Sequence, residues 1–312
     1  MSTFVRTRAY RPPAPLGGRP RRRRRGSPVP LFFMLPALVI LAAFVGWPMF
    51  SALRLSFTNS SGFGRNEWIG LDNYRTIFTD SRVLDTLGHT ALYTILFTPT
   101  ALIAALLLAM LLNSGRLIGR GFFRTALFLP FIVSLAVAAF AWSYLLDPQV
   151  GLLNYWLRTV GIRLGNVLED PALAMPTVVL IAVWKNFAFY MVIFMAGLQE
   201  IPASLYEAAK IDGAGAWRRF ISITLPQLSN TLAFVVIFAM IAALQAFDQI
   251  YVLTGGGPYR STQTVVMEIY QTGFKELNLG LASALSYVLL GATLILSLVQ
   301  FRFFGRREKD LV

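Results

Sequence analysis

The chain contains no cysteine and only one histidine, His89. Without cysteine there is no disulfide framework and no thiolate metal site. One histidine is too few ligands for a metal centre, and His89 reads as a polar residue near a membrane boundary. Charge is scarce as well, at 14% of residues against about 25% in ordinary soluble domains. The lysines are Lys185, Lys210, Lys275 and Lys309, and none follows the glycine that a GxxxxGK[ST] nucleotide loop requires. Gly255-Gly256-Gly257-Pro258 is glycine-rich but lacks that lysine, and reads as a tight turn. No Ser/His/Asp or Glu/His constellation occurs, so a membrane-bound enzyme would lack its catalytic cluster.

What the chain has is apolar sequence, with 56% of its residues hydrophobic. Uncharged runs of about 20 residues recur, long enough to cross a hydrocarbon core of about 30 Å. They predict an all-α polytopic membrane protein with six transmembrane helices. The spans are Leu31 to Phe50, Ala91 to Leu112, Thr125 to Leu146, Ala172 to Leu198, Leu228 to Leu253 and Leu281 to Phe304. The first run follows a basic stretch as a signal peptide would, but it is too long and no small-x-small cleavage site follows within reach, so it is expected to remain as a span.

The net charge of +13 would suit a nucleic-acid binder, but its distribution does not. One basic clump, Arg19 and Arg21 to Arg25, lies in the N-terminal tail, and most other cations flank the apolar runs. With both termini inside, the inner side carries the tail, Arg116, Arg120, Arg124, Lys210, Arg218, Arg219 and the C-terminal cations. Fewer fall outside, so the rule that basic loops stay in the cytoplasm predicts both ends there. The expected organisation is a basic, disordered tail over residues 1–30, a six-helix domain over 31–304 and a short cytoplasmic tail over 305–312. The arginine run serves as a topology anchor and could also hold anionic headgroups.

Between the fourth and fifth spans lies a polar segment, residues 199–226, containing EAAKIDGAGAWRRFISITLP. Pro202 and Ser204 open a short helix whose Leu205, Ala208 and Ala209 share one face. Asp212-Gly213 is a helix stop. A second helix begins near Ala214, carries Trp217, Phe220, Ile221 and Leu225 on its apolar face, and is expected to end at Pro226. A membrane-surface helix would be continuous and more basic, so this broken, acid-flanked pair is expected to dock onto a partner.

Glu207-Ala208-Ala209, Asp212-Gly213-Ala214, Phe220, Ile223 and Leu225-Pro226 resemble the EAA loop of bacterial ABC importer permeases. Gly70-Leu71-Asp72-Asn73-Tyr74 resembles the signature that follows the first span in sugar-type permeases, and Phe247-Asp248 with Tyr251 to Pro258 resembles their fifth-span ending. The nearest subfamily comprises permeases for oligosaccharides and for glycerol-3-phosphate or its diesters, on the side of the larger maltose permease. This chain departs from the latter in having the six-helix core alone.

The resemblance implies the type I ABC importer permease architecture and a plasma-membrane subunit forming half of a translocation pathway. It implies ATPase subunits that bind the ATP and Mg, a second permease and an extracytoplasmic solute-binding protein, with no cofactor in this chain. It also implies that Glu207, Ala208, Ala209, Asp212, Gly213, Ala214, Trp217 and Phe220 contact the ATPase. The competing reading, a self-contained secondary transporter or channel, would need an internal repeat or a dense charge relay, and neither is evident.

Polar groups within spans are expensive and mark candidate pathway residues. They are Ser134 after Phe131 in the third span, Lys185 and Asn186 after Trp184 in the fourth with Phe189 beyond, and Gln245, Asp248 and Gln249 in the fifth. Aromatic faces with a few amides suit a sugar or polyol. Three roles are open to Lys185: contact with a phosphate, pairing with Asp248, or snorkelling along a water-filled path.

Overall fold

The computed structural model describes residues 29–62, 66–114, 118–162 and 164–309. The chain divides after Phe50 into two units, Met1–Phe50 and Ser51–Val312. The predicted basic tail falls, up to residue 28, outside the described residues.

The first unit is helical: α1 (Val29–Leu41) carries Pro36 inside it and passes into a π-helical turn, Ala42–Gly46. Helix α2 (Trp47–Leu55) follows. Beyond Phe50 come a two-stranded antiparallel ribbon of β1 (Thr58–Asn59) and β2 (Glu67–Trp68), then α3 (Asp72–Thr79) and the long α4 (Ser81–Asn113). Then follow α5 (Arg120–Ile132), α6 (Leu135–Leu146), α7 (Leu152–Thr159) and α8 (Ala174–Glu200). The motif loop supplies α9 (Ala203–Ile211), α10 (Ala216–Arg219), a π-helical turn at Phe220–Thr224 and α11 (Leu225–Gln227). Helices α12 (Ser229–Leu244), α13 (Asp248–Leu253), α14 (Val265–Tyr270) and α15 (Leu279–Lys309) complete the chain.

Four described helices are long and apolar enough to cross a membrane: Phe32–Leu55, Ser81–Asn113, Ala174–Glu200 and Leu279–Phe303. Two sharply bent pairs bring the number to six if each is one span. The first pair corrects the predicted continuous third span; the second bends at Leu228, where the fifth span was predicted to begin, and the fifth span itself is interrupted between α12 and α13. Arg120–Ile132 and Leu135–Leu146 meet at 96°, because Pro130 removes a helix donor and Val133 and Ser134 adopt extended backbone. Ala216–Gln227 and Ser229–Leu244 meet at 72°. The helix ends at Gln227, one residue past the expected stop at Pro226, after a π-helical turn at Phe220–Thr224, and the chain bends at Leu228. The second span starts ten residues earlier than predicted, capped by Asp80, whose carboxylate accepts the Arg82 N–H. The last helix runs on to Lys309, into the segment predicted as a tail.

The core forms where α4 crosses α8, with α12 against α4. Ala101, Ala105 and Ala109 line the buried face of α4 at four-residue spacing, with Ala182 and Ala188 buried on α8, so the helix backbones approach closely. Gly197 serves the same purpose against α12, since an added Cβ would stand 2.5 Å from the Thr231 hydroxyl oxygen. Buried Thr86, Thr90 and Thr94 donate to carbonyls one turn back.

The signature at Gly70–Tyr74 has a structural role. Asn73, buried at the start of α3, donates its amide to the carbonyls of Ser56 (2.9 Å) and Thr58 (3.0 Å). The Tyr74 hydroxyl meets that of Ser56 at 2.9 Å. The last long helix closes on the same backbone: Gly280 donates to the Ser60 carbonyl, and a Cβ there would lie 2.1 Å from the Thr58 oxygen. The backbone of Ser56–Ser60 is thus tied to α3 by the Asn73 amide and to α15 by the Gly280 N–H. The glycine-rich stretch is a turn, as its composition predicts, with Gly255 and Gly256 at φ +59 and +90. It is braced by Glu268, which accepts from Arg260 and Gln263.

Candidate coupling loop and substrate pathway

The motif loop is a hinged pair of helices with a well-defined stop. The Gly213 N–H donates to the Lys210 carbonyl (3.1 Å) and the Ala214 N–H to that of Ala209 (2.8 Å). This is the Schellman pattern, which satisfies the last carbonyls of α9. It needs a left-handed residue, and Gly213 supplies it at φ +74. Gly215 then leads into α10, where Trp217 stacks on Phe220 with centroids 5.6 Å apart. The predicted start near Ala214 therefore lies two residues too early. The Tyr206 hydroxyl meets that of buried Thr224 at 3.0 Å, joining α9 to the π-helical turn so that the two arms hold one angle. Thr224 stands in the quoted stretch and Tyr206 immediately precedes it, but their pairing needs the fold of the loop to be visible.

The arms leave apolar side chains uncovered. Trp217 is 71% and Ile211 87% exposed, and Ile221 and Leu225 are also exposed. Glu207, Ala208, Asp212 and Gly213 lie on the surface, while Ala209, Ala214 and Phe220 are half-buried. A tryptophan and three aliphatic residues on a polar loop form a surface that favours a covering partner.

The pathway candidates gather at the break in the third span. Phe131 ends α5 and stacks on Phe189 of α8 with centroids 5.3 Å apart, and Phe189 reaches Phe238 of α12. Trp184 meets Trp142 edge-to-face at 5.4 Å. Ser134 is exposed at the start of α6 and makes no cap with its hydroxyl. Gln245 and Asp248 are exposed where the fifth span breaks between α12 and α13. Asn186 turns its amide back to the Ala182 carbonyl. Gln249, grouped with Gln245 and Asp248 by sequence, is buried and donates to the Tyr93 hydroxyl at 2.7 Å.

Lys185 is buried, and its partner is neither Asp248 nor, among the described residues, any carboxylate. Its ammonium donates to the Phe131 carbonyl at 3.1 Å and sits 4.8 Å from the centre of the Phe131 ring. The physical reason is the break: α5 stops inside an apolar span and leaves its last carbonyls without helix donors. A cation at a helix C-terminus satisfies them and meets the negative end of the helix dipole. The pairing with Asp248, one of the three roles open by sequence, is therefore not made; a cap and a cation–π contact stand in its place.

With four long apolar helices and two bent pairs among the described residues, and a hinged loop between α8 and α12, the chain can be set beside known proteins. The family described as the inner membrane component of binding-protein-dependent transport systems matches residues 77–309. The chain belongs to this family. The sn-glycerol-3-phosphate transport system permease protein of Agrobacterium fabrum is 37% identical over 282 residues, covering 89% of this chain and 95% of that protein. Its counterpart from Brucella abortus is 38% identical over the same length. Among solved structures, a bacterial ABC transporter involved in import of the acidic polysaccharide alginate superposes with a TM-score of 0.79. That match covers 89% of this chain and 96% of the other at 23% identity, and shows the fold. The chain is thus a multi-pass permease component of a binding-protein-dependent transport system.

Proposed function

We propose that this permease forms half of the translocation pathway of an ATP-driven bacterial importer for a glycerol-phosphate or carbohydrate solute. The observation that carries the motor coupling is the hinged loop: its two arms are fixed by the Gly213 stop and the Tyr206–Thr224 contact, and its apolar residues lie uncovered. Glu207, Ala208, Ala209, Asp212, Gly213, Ala214, Trp217 and Phe220 make or position the contact with an ATPase subunit, which binds the ATP and Mg. When the ATPases close, the loop moves as a rigid body and biases the spans between inward- and outward-open states. The chain itself is non-catalytic and carries no cofactor. A second permease completes the pathway across a two-fold axis, and an extracytoplasmic binding protein delivers the solute.

The relatives named for sn-glycerol-3-phosphate transport support that substrate class. Ser134, Trp184, Asn186, Phe189, Gln245 and Asp248 line the pathway, with Phe131 and Lys185 shaping its bend. Uptake of labelled glycerol-3-phosphate and of a labelled neutral oligosaccharide, in cells with and without the chain, tests the class. The reading expects loss of one of the two on deletion and fails if neither depends on the chain.

Both termini and the motif loop face the cytoplasm in this reading. Because the chain has no cysteine, single cysteines report topology cleanly. Ser61→Cys and Asn166→Cys are expected to react with a membrane-impermeant thiol reagent applied to intact cells, whereas Ser204→Cys is not. The opposite pattern would invert the orientation.

A further inference from the structure

A cavity of about 640 Å³ lies between the motif loop and the membrane core, within the size range of small-molecule sites. Its core wall is the end of α4, Met110, Asn113 and Ser114, together with Leu198 of α8; the loop closes it with Tyr206, Lys210, Arg219 and Phe220. Two cations, an amide and hydroxyl groups therefore converge on one hollow, with Met110, Leu198 and Phe220 supplying an apolar side. None of its described lining residues is acidic, and neither Lys210 nor Arg219 has a carboxylate within ion-pair distance among the described residues. A smaller hollow on the loop, about 220 Å³, shares Arg219 and adds Arg218, but it also carries Asp212, so one of its two positive charges is offset from within.

We propose that the larger cavity binds a phosphate group, carried by an anionic lipid headgroup or present as a free anion, and that occupancy fastens the motif loop to the membrane core. The chemistry follows from the lining. A guanidinium and an ammonium suit phosphate oxygens; the Asn113 amide and the one hydroxyl hydrogen that the Tyr206–Thr224 contact leaves free add hydrogen bonds, and the apolar side accommodates the first methylenes of a lipid's acyl chains. Basic pockets between spans at the cytoplasmic surface suit such headgroups. This site rests on the cytoplasmic placement of the loop. It is distinct from the exposed apolar residues assigned to the ATPase, Phe220 alone belonging to both. A ligand bridging the wall and the loop stabilises their joined state by its binding free energy, and so tunes how firmly movement of the loop is passed to the spans.

The test is hydrogen exchange of residues 203–227 in the full transporter in lipid nanodiscs. Three conditions are compared: phosphatidylcholine alone, phosphatidylcholine with phosphatidylglycerol, and phosphatidylcholine with inorganic phosphate. At saturating ligand the loop amides are expected to exchange about tenfold more slowly. Slowing by phosphatidylglycerol identifies a headgroup and slowing by phosphate a free anion; either supports the site if Arg219→Gln, or Lys210→Gln with Arg219→Gln, removes it. Exchange over 174–200 unchanged in the variants shows that the bundle is folded. Equal rates in all three conditions, or slowing that persists in the double variant, would overturn the proposal. Because exchange is read on the permease itself, that failure is separable from failure of the coupling reading, which would appear as loss of the ATPase from the complex.

Discussion

Gly213→Pro is expected to abolish uptake while the chain still inserts into the membrane. Two independent features of the position are lost. Its φ is +74, whereas proline is held near −65. Its N–H donates to the Lys210 carbonyl, and proline has none to give. The Schellman stop therefore cannot form, and α9 and α10 lose the angle at which Trp217 and Glu207 are presented. Gly213→Ala is milder. No atom lies within 4 Å of the added Cβ, so its cost is the left-handed backbone alone, about 1 kcal/mol. Partial uptake is expected there. Uptake of labelled substrate, normalised to the amount of permease in the membrane, measures both variants. Unimpaired uptake by the proline variant would remove the loop from the mechanism.

Lys185→Met is expected to reduce uptake of a phosphate-bearing and a neutral solute by the same factor. Methionine fills much of the volume but leaves the Phe131 carbonyl without its donor. A partly buried carbonyl left unpaired costs about 1 kcal/mol, at the lower end of the range for buried groups, enough to shift the bent third span about fivefold away from its native conformation. Lys185→Arg, which retains donors and can stack on the Phe131 ring, is expected to recover most of the loss. Transport assays with the two solutes decide the role. A loss confined to the phosphate-bearing solute would make Lys185 a substrate ligand and its cap incidental.

The sequence made these predictions possible to different degrees. The six apolar runs were legible because each must span lipid whatever its neighbours do, and the family match bears out the permease fold. The Asp212-Gly213 stop was legible because its signal is local: one residue must take positive φ, and glycine does so at little cost. The bend in the third span and the break between α12 and α13 in the fifth were not. Hydropathy is blind to direction, and the extended backbone at Val133 and Ser134 interrupts a run that stays apolar throughout. The partner of Lys185 was hidden for the same reason, because its acceptor is a backbone carbonyl that exists only once the helix has broken. The buried roles of Asn73 and Gln249 depend on contacts 15 to 156 residues away, which no local pattern encodes.

If the hinged loop is the contact with a motor, the motor should accompany the permease out of the membrane. Co-purification tests it most directly: the tagged permease is extracted gently from its native membrane and the accompanying proteins are identified. The account predicts an ATPase subunit in stoichiometric amount, lost or strongly depleted when Gly213 is replaced by proline, together with a second permease. Recovery of this chain alone, still able to transport without ATP, would contradict the account and make it a self-contained transporter.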